Sequence, residues 1–356
     1  GPFAPLPFAP AETATAAEPA PGGAGRWGLH RAGNASLDST IGAGFLQQAS
    51  VQRFSVCFGD GEGDGDGVLR MGVPAAPGAL ASIGTMHWGV DFRGVSVGDA
   101  AAPVQFCGAA EMPASQQTPC GAILDSGTTY MMGPADQLQS LYDSICSMWP
   151  RCNQNHTAMV EAATAAKAVT VEKYGTDPWG IEPVPKSVIL DVLLRDCDSW
   201  LNESAGAGEL PELHFHVNGA GGSSKTLTLP GWSYVVMRHE EERKALTRHI
   251  PGMGDIVTGY APTGRSRWVC TPAFSELRYP TAHNGPAWIL GMPLFHQYVV
   301  GFDLAAQPPA VSFGDGPCGS CSGGQALFAS GARARGRPRK VHGDLRMPKI
   351  DVTQPF

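Results

Sequence analysis

No uninterrupted apolar stretch in this 356-residue chain approaches the roughly 18 residues that a membrane-spanning helix requires, so no helical span is predicted. A charged segment followed by a short apolar one, the mark of a secretory leader, is also missing. The chain starts at Gly1 and not at Met, and its native amino terminus is expected to lie upstream, lost by processing or truncation. Charged residues are sparse, at 16%, and unevenly spread. From Ala326 onward there are seven basic and two acidic residues, so the net charge of −7 divides into a tail at +5 and a body at −12. An acidic body disfavours nucleic acid as a general partner.

The apolar fraction is not scarce. At 43% it supports a substantial core, and the length allows about two domains of ordinary size. With 46 Gly and 30 Pro separating short β-branched and aromatic runs, the pattern predicts a mainly β protein rich in loops. Nine cysteines are too many for a typical cytosolic protein without a metal site. Together with three glycosylation sequons, at Asn34, Asn155 and Asn202, they favour the secretory pathway.

The stretch on which the rest depends is Gly121-Ala-Ile-Leu-Asp125-Ser126-Gly127-Thr128-Thr129-Tyr-Met-Met-Gly133-Pro134. An apolar run carries one carboxylate into a turn of Ser, Gly and Thr, and the chain leaves through apolar residues again. Gly127 permits a tight turn, and the neighbouring hydroxyls can hydrogen-bond the carboxylate and set its orientation. With these flanks, the motif closely resembles the second active-site loop of pepsin-like aspartic proteases of the plant and protist type. A second landmark follows: Ala287-Trp288-Ile289-Leu290-Gly291-Met-Pro-Leu-Phe295-His-Gln-Tyr298, then Phe302-Asp303 and Ala310-Val-Ser-Phe313-Gly314. It resembles the closing segment of the same family, where Trp288, Ile289, Leu290 and Gly291 would pass behind the Asp loop and brace it. Met292 stands where the family has an acidic residue.

The resemblance orders the remaining chain. Residues 1–24 form a Pro/Ala-rich linker. Residues 25–84, with Phe54-Ser-Val-Cys57-Phe and Gly67-Val-Leu-Arg-Met-Gly72, are similar to the rear of the N-terminal lobe and the sheet beneath both lobes. Residues 85–316 are similar to the C-terminal catalytic lobe. The implied fold is therefore a pepsin-like acid protease with one complete C-terminal lobe and a partial N-terminal lobe. In many relatives a disulfide stands where Cys107 and Cys120 flank a loop; closing a loop of that size contributes about 3 kcal/mol. Cys146 and Cys152 are close enough to bridge, and the resemblance pairs Cys197 with Cys270. Cys318 and Cys321 are expected to join each other, or one of them to join Cys57.

Local signals fill in the elements. Pro134 with Leu138, Leu141, Tyr142 and Ile145 at helical spacing predicts a helix, and the Ala-rich residues 157–173 predict another. Residues 238–268 read as a long exposed loop, and residues 317–356 as a disordered Cys-x-x-Cys and basic tail.

Several sharper signals yield to plainer ones. Asp38-Ser39-Thr40 lacks the Gly of a catalytic triplet. Asp60 to Gly67 spaces carboxylates like a calcium loop, but Met71 holds the twelfth position where a bidentate Glu is needed, so a hairpin turn is expected. His214 and His216 share a strand face without a third ligand nearby in sequence, and exposed strand histidines are the default. Tyr174-Gly175-Thr176 is similar to a flap tyrosine but follows the Asp loop, in the wrong lobe. Arg335-Gly-Arg-Pro338 is similar to an AT-hook, yet a solvated basic tail suits a secretory protein better. No metal, cofactor or nucleic acid is expected, and a monomer is.

Two carboxylates sharing a proton are what aspartic proteolysis needs, and only Asp125 is found. Three explanations are open: a fragment or imperfect gene model of an intact endopeptidase, an inactive homologue that binds peptides or proteins, or two copies each supplying one Asp. We expect the first, in an extracellular or an acidic vacuolar or lysosomal compartment.

Overall fold

The computed structural model describes residues 46, 49–59, 67–108, 112–201, 206–250, 254–315, 318, 338–342 and 345–348. The 1–24 segment, Asn34, Asp38, Asp60, Asn202 and Cys321, with the expectations attached to them, lie outside the described residues. Strands hold 38% of the described residues and helices 26%, so the protein is mainly β as its composition predicts.

The first strands are β1 (Arg53–Phe58), β2 (Gly67–Met71), β3 (Leu80–Ala81) and β4 (Gly89–Val97). β5 (Cys120–Leu124) and β6 (Met131–Gly133) enclose the Asp turn. Three helices follow, α1 (Ala135–Met148), α2 (Pro150–Tyr174) and α3 (Lys186–Arg195). β7 (Leu213–Asn218) and β8 (Ser224–Leu229) lead through the short α4 (Gly231–Tyr234) into β9 (Val235–Ile250) and β10 (Gly254–Pro272). β11 (Phe274–Glu276), β12 (Ala287–Leu290), α5 (Met292–Gln297), β13 (Tyr298–Asp303), β14 (Ala310–Asp315) and β15 (Arg339–Val341) complete the order.

Three sheets result. Seven strands run in the order β11-β6-β12-β5-β4-β7-β8, five in the order β2-β1-β13-β14-β3, and three in the order β10-β9-β15. The five-stranded sheet interleaves strands from opposite ends of the chain, with Phe54 opposite Phe302 and Phe302 opposite Val311. Phe54 stacks on Phe302 at 4.8 Å between ring centroids, and Trp88 lies 5.1 Å from Phe302. These rings belong to the same core cluster as Phe92, Phe215 and Trp288 of the seven-stranded sheet. Residues 53–81 thus share one apolar interior with residues 85–315.

Four disulfides clamp this framework. Cys107 pairs with Cys120, Cys146 with Cys152 and Cys197 with Cys270, while Cys57 pairs with Cys318. The last of these attaches the start of the tail to β1. The helix starting after Pro134 buries Leu138, Leu141 and Ile145, and Pro134 sits just ahead of its first turn. α2 is held by propensity more than by packing, since Cys152 and Thr170 are its buried residues. It ends at Gly175, whose φ of 75° is left-handed and costs little without a Cβ.

Two expectations fail. Residues 238–250 and 254–268 form most of the paired strands β9 and β10 and not a loop. Their charged residues conceal a ladder in which Glu240 faces Arg267 and His239 faces Trp268. An opposite-charge pair across strands contributes about 0.2–1 kcal/mol. The tail is also ordered in part, because residues 339–341 add to the free edge of β9 in parallel. Backbone groups on an unpaired strand edge accept a third strand whatever its net charge.

Candidate functional site: the Asp125 loop

β5 reads as a continuous apolar run because both its faces are covered. Ala122 and Leu124 enter the main core, while Ile123 joins Met132, Ala287 and Ile289 on the other side. β12 runs parallel to β5, with Ala287 opposite Gly121 and Leu290 opposite Leu124. It also meets β6 through Ile289 and Met132. The 287–290 segment therefore threads between the two strands that carry the Asp turn. Behind the turn, the Asp125 N–H donates to the Leu290 carbonyl at 3.1 Å, and the Met292 N–H to the Thr128 carbonyl at 2.8 Å.

Close approach explains the glycines. A Cβ on Gly291 would lie 2.1 Å from the Tyr130 carbonyl oxygen and 2.6 Å from that of Thr128. One on Gly133 would lie 2.4 Å from the Trp288 ring. That ring is fixed in turn by an Nε1–H···Oε1 bond to Gln137 at 2.7 Å and by stacking on Phe106 at 5.3 Å.

At the apex, the Gly127 N–H donates to Asp125 Oδ1 at 2.8 Å and the Thr128 hydroxyl donates to Oδ2 at 2.5 Å. Thr128 itself is buried, so its hydroxyl is a fixed donor. Asp125 and Ser126 are half-buried and Gly127 is exposed. The carboxylate is consequently locked in plane but open to solvent on one side. Such a group can take a proton from a bound water or bind one by hydrogen bonds. Among the described residues no second carboxylate is hydrogen-bonded to it, and no group of three or more His, Cys, Asp or Glu side chains is arranged to hold a metal.

Other predicted residues lie elsewhere. His214 is buried, contrary to the exposed default, because its ring packs between strands and meets Thr228 Oγ1 at 2.9 Å. His216 Nε2 lies 2.9 Å from Ser96 Oγ; burial, with His214 nearby, pushes its pKa below the usual imidazole range. Asn155 is exposed in mid-helix, its amide donating to the Arg151 carbonyl. Tyr174 ends α2, edge-on to Trp179 at 5.1 Å between centroids.

Sequence reasoning missed Thr129 and the tail. The Thr129 N–H donates to the Arg346 carbonyl at 3.0 Å, and the Arg346 N–H donates to Thr129 Oγ1 at 2.9 Å. The only signal was a faint alternation, Leu345-Arg346-Met347, masked by the basic run before it. No family model matches the chain, and no curated protein matches it either.

Proposed function

We propose that Asp125 is one carboxylate of an aspartic-type endopeptidase site, the chain carrying the C-terminal-lobe half of a pepsin-like enzyme. The observation that supports this reading most is the threading of the 287–290 strand between β5 and β6 directly behind a hydrogen-bonded, solvent-open Asp-Ser-Gly-Thr turn. A carboxylate that only stabilised a turn would not need a parallel strand, two apolar layers and two Cβ-free contacts to hold it.

In the proposed reaction, Asp125 and a second carboxylate from outside the described residues share one proton and hold a water between them. The charged member takes a proton from the water as its oxygen bonds to the peptide carbonyl carbon. The protonated member polarises the carbonyl oxygen, and the C–N bond then breaks as the amine nitrogen accepts a proton. Titration would belong to the pair and not to either group alone. Substrates would be extended peptides with apolar residues at the cut. Four disulfides, with no described helix long and apolar enough to cross a membrane, are compatible with a secreted or lumenal protein. An acidic compartment is part of the proposal.

The pairing of Arg346 with Thr129 favours a second reading, a homologue that binds peptides without cutting them. The test is acid-dependent, pepstatin-sensitive peptide hydrolysis by the protein made with its native upstream sequence, beside its Asp125→Asn variant. Cleavage lost with Asp125→Asn supports the enzyme; peptide binding without cleavage replaces it by the binding module.

A further inference from the structure

The tail reaches the Asp125 loop by a route whose contact with the loop itself is made by the backbone of Arg346. Cys318 is tied to Cys57, residues 339–341 lie in parallel beside Val236–Arg238, and both backbone polar groups of Arg346 are spent on Thr129. Thr129 is four positions beyond Asp125. Between these anchors, Val341 packs against Tyr130, Val236 and Ala273. Lys340 Nζ lies over the Trp268 ring, 5.3 Å from its centroid, and Arg339 Nη1 meets His296 Nε2 at 2.7 Å.

The grip near the loop is shallow. Leu345 is 39% exposed and Met347 50% exposed, so the apolar residues flanking Arg346 are only partly covered. The Tyr130 hydroxyl is buried without a hydrogen-bond partner among the described residues, in the cluster against which Val341 of the tail packs. Strand addition through backbone groups is tolerant of sequence, so whatever the tail satisfies here another extended chain can satisfy as well.

We propose that residues 338–342 and 345–348 are a displaceable strap: the chain's own tail occupies the backbone partners at Thr129 and along the β9 edge, and competes with an extended peptide for them. The proposal rests on the reading of Asp125 as a site of peptide chemistry only for its consequence, which is restraint of that chemistry. The docking itself is independent of catalysis.

The test uses the full chain carrying Asp125→Asn, so that no cleavage intervenes, with and without Arg346→Pro and Val341→Asp together. Arg346→Pro removes the N–H given to Thr129, and Val341→Asp puts a charge into the apolar contact. The probe is a fluorescein-labelled peptide of residues 337–349 added in trans and followed by anisotropy. Hydrogen exchange at the Thr129 amide and along residues 120–124 is read in parallel. We expect the strap variant to bind the peptide at least about tenfold tighter than its parent, a change of about 1.4 kcal/mol. Thr129 exchange should speed up in the variant and slow again with peptide, while residues 120–124 stay protected. Equal peptide affinity in the two proteins, or unchanged exchange at Thr129, overturns the strap. Tighter peptide binding together with no hydrolysis by the intact protein leaves the strap standing and overturns the catalytic reading.

Discussion

The Asp125 loop is contacted by two segments that differ in how they hold it, the strand β12 and the tail around Arg346. β12 lies behind it, wholly buried, with its neighbours packed so closely that a methyl group at Gly291 has nowhere to go. The tail meets it at Thr129, joined by one backbone–backbone hydrogen bond and one from the Arg346 N–H to the Thr129 hydroxyl, and flanked by exposed side chains. One contact is part of the core and cannot be withdrawn without unfolding. The other is a surface addition, released at the expense of a few bonds that water can replace. A loop held between a fixed wall and a surface contact is the setting in which the proposed restraint would act.

The comparison breaks most severely at Gly291. Gly291→Ala is expected to cost more than about 4 kcal/mol, because the nearest atoms are backbone oxygens of the Asp loop itself. Gly259→Ala, with open space around it, should stay within about 0.5 kcal/mol. Urea denaturation of both variants measures the contrast. Next come the disulfides. Replacing Cys197 and Cys270 by Ser opens a link spanning 73 positions and should cost about 4 kcal/mol, whereas Cys146 and Cys152, 6 apart, should cost about 2 kcal/mol. Equal losses would place the stabilisation in local packing and not in restriction of the unfolded chain.

Much of this arrangement is legible in the sequence, and the exceptions have physical causes. The β5 run, the helix after Pro134 and the 287–290 strand announce themselves because each is buried and their apolar residues follow the period of the element. The β9–β10 hairpin does not, since most of its length faces solvent and charged side chains there satisfy strand geometry as readily as loop geometry. His214 misleads because a strand imidazole can be buried with one ring nitrogen meeting a threonine hydroxyl, although its Nε2 has no hydrogen-bond partner among the described residues. The tail strand is least legible of all, because its stability comes from β9 and Thr129, far away in the chain, and its own composition signals only charge.

At the site itself, Asp125→Asn should cost only about 1 kcal/mol of stability, read from thermal unfolding. The amide can still accept from Gly127, but its NH2 cannot accept from Thr128. A small structural cost beside a large functional one would separate a working carboxylate from a merely structural one. The smallest expected effect is a pH dependence from groups away from the loop. Burial raises the Asp91 pKa above the ordinary 3.8, with Arg93 opposing. Its contribution is full below that value and is lost as pH rises through the folded pKa. His216 acts oppositely: its pKa lies below the ordinary 6.5, so its contribution is present above 6.5 and lost as pH falls toward the folded value. Denaturant midpoints across acid pH should therefore flatten at the low end in Asp91→Asn and improve under mild acid in His216→Gln.

The most direct measurement is the pH–rate profile of peptide hydrolysis by the protein with its native upstream sequence, compared with Asp125→Asn. The account predicts a bell on the acid side, from a carboxylate pair sharing one proton, and a fall of about 10²–10⁴-fold across it on removing Asp125. A profile unchanged by Asp125→Asn would contradict it.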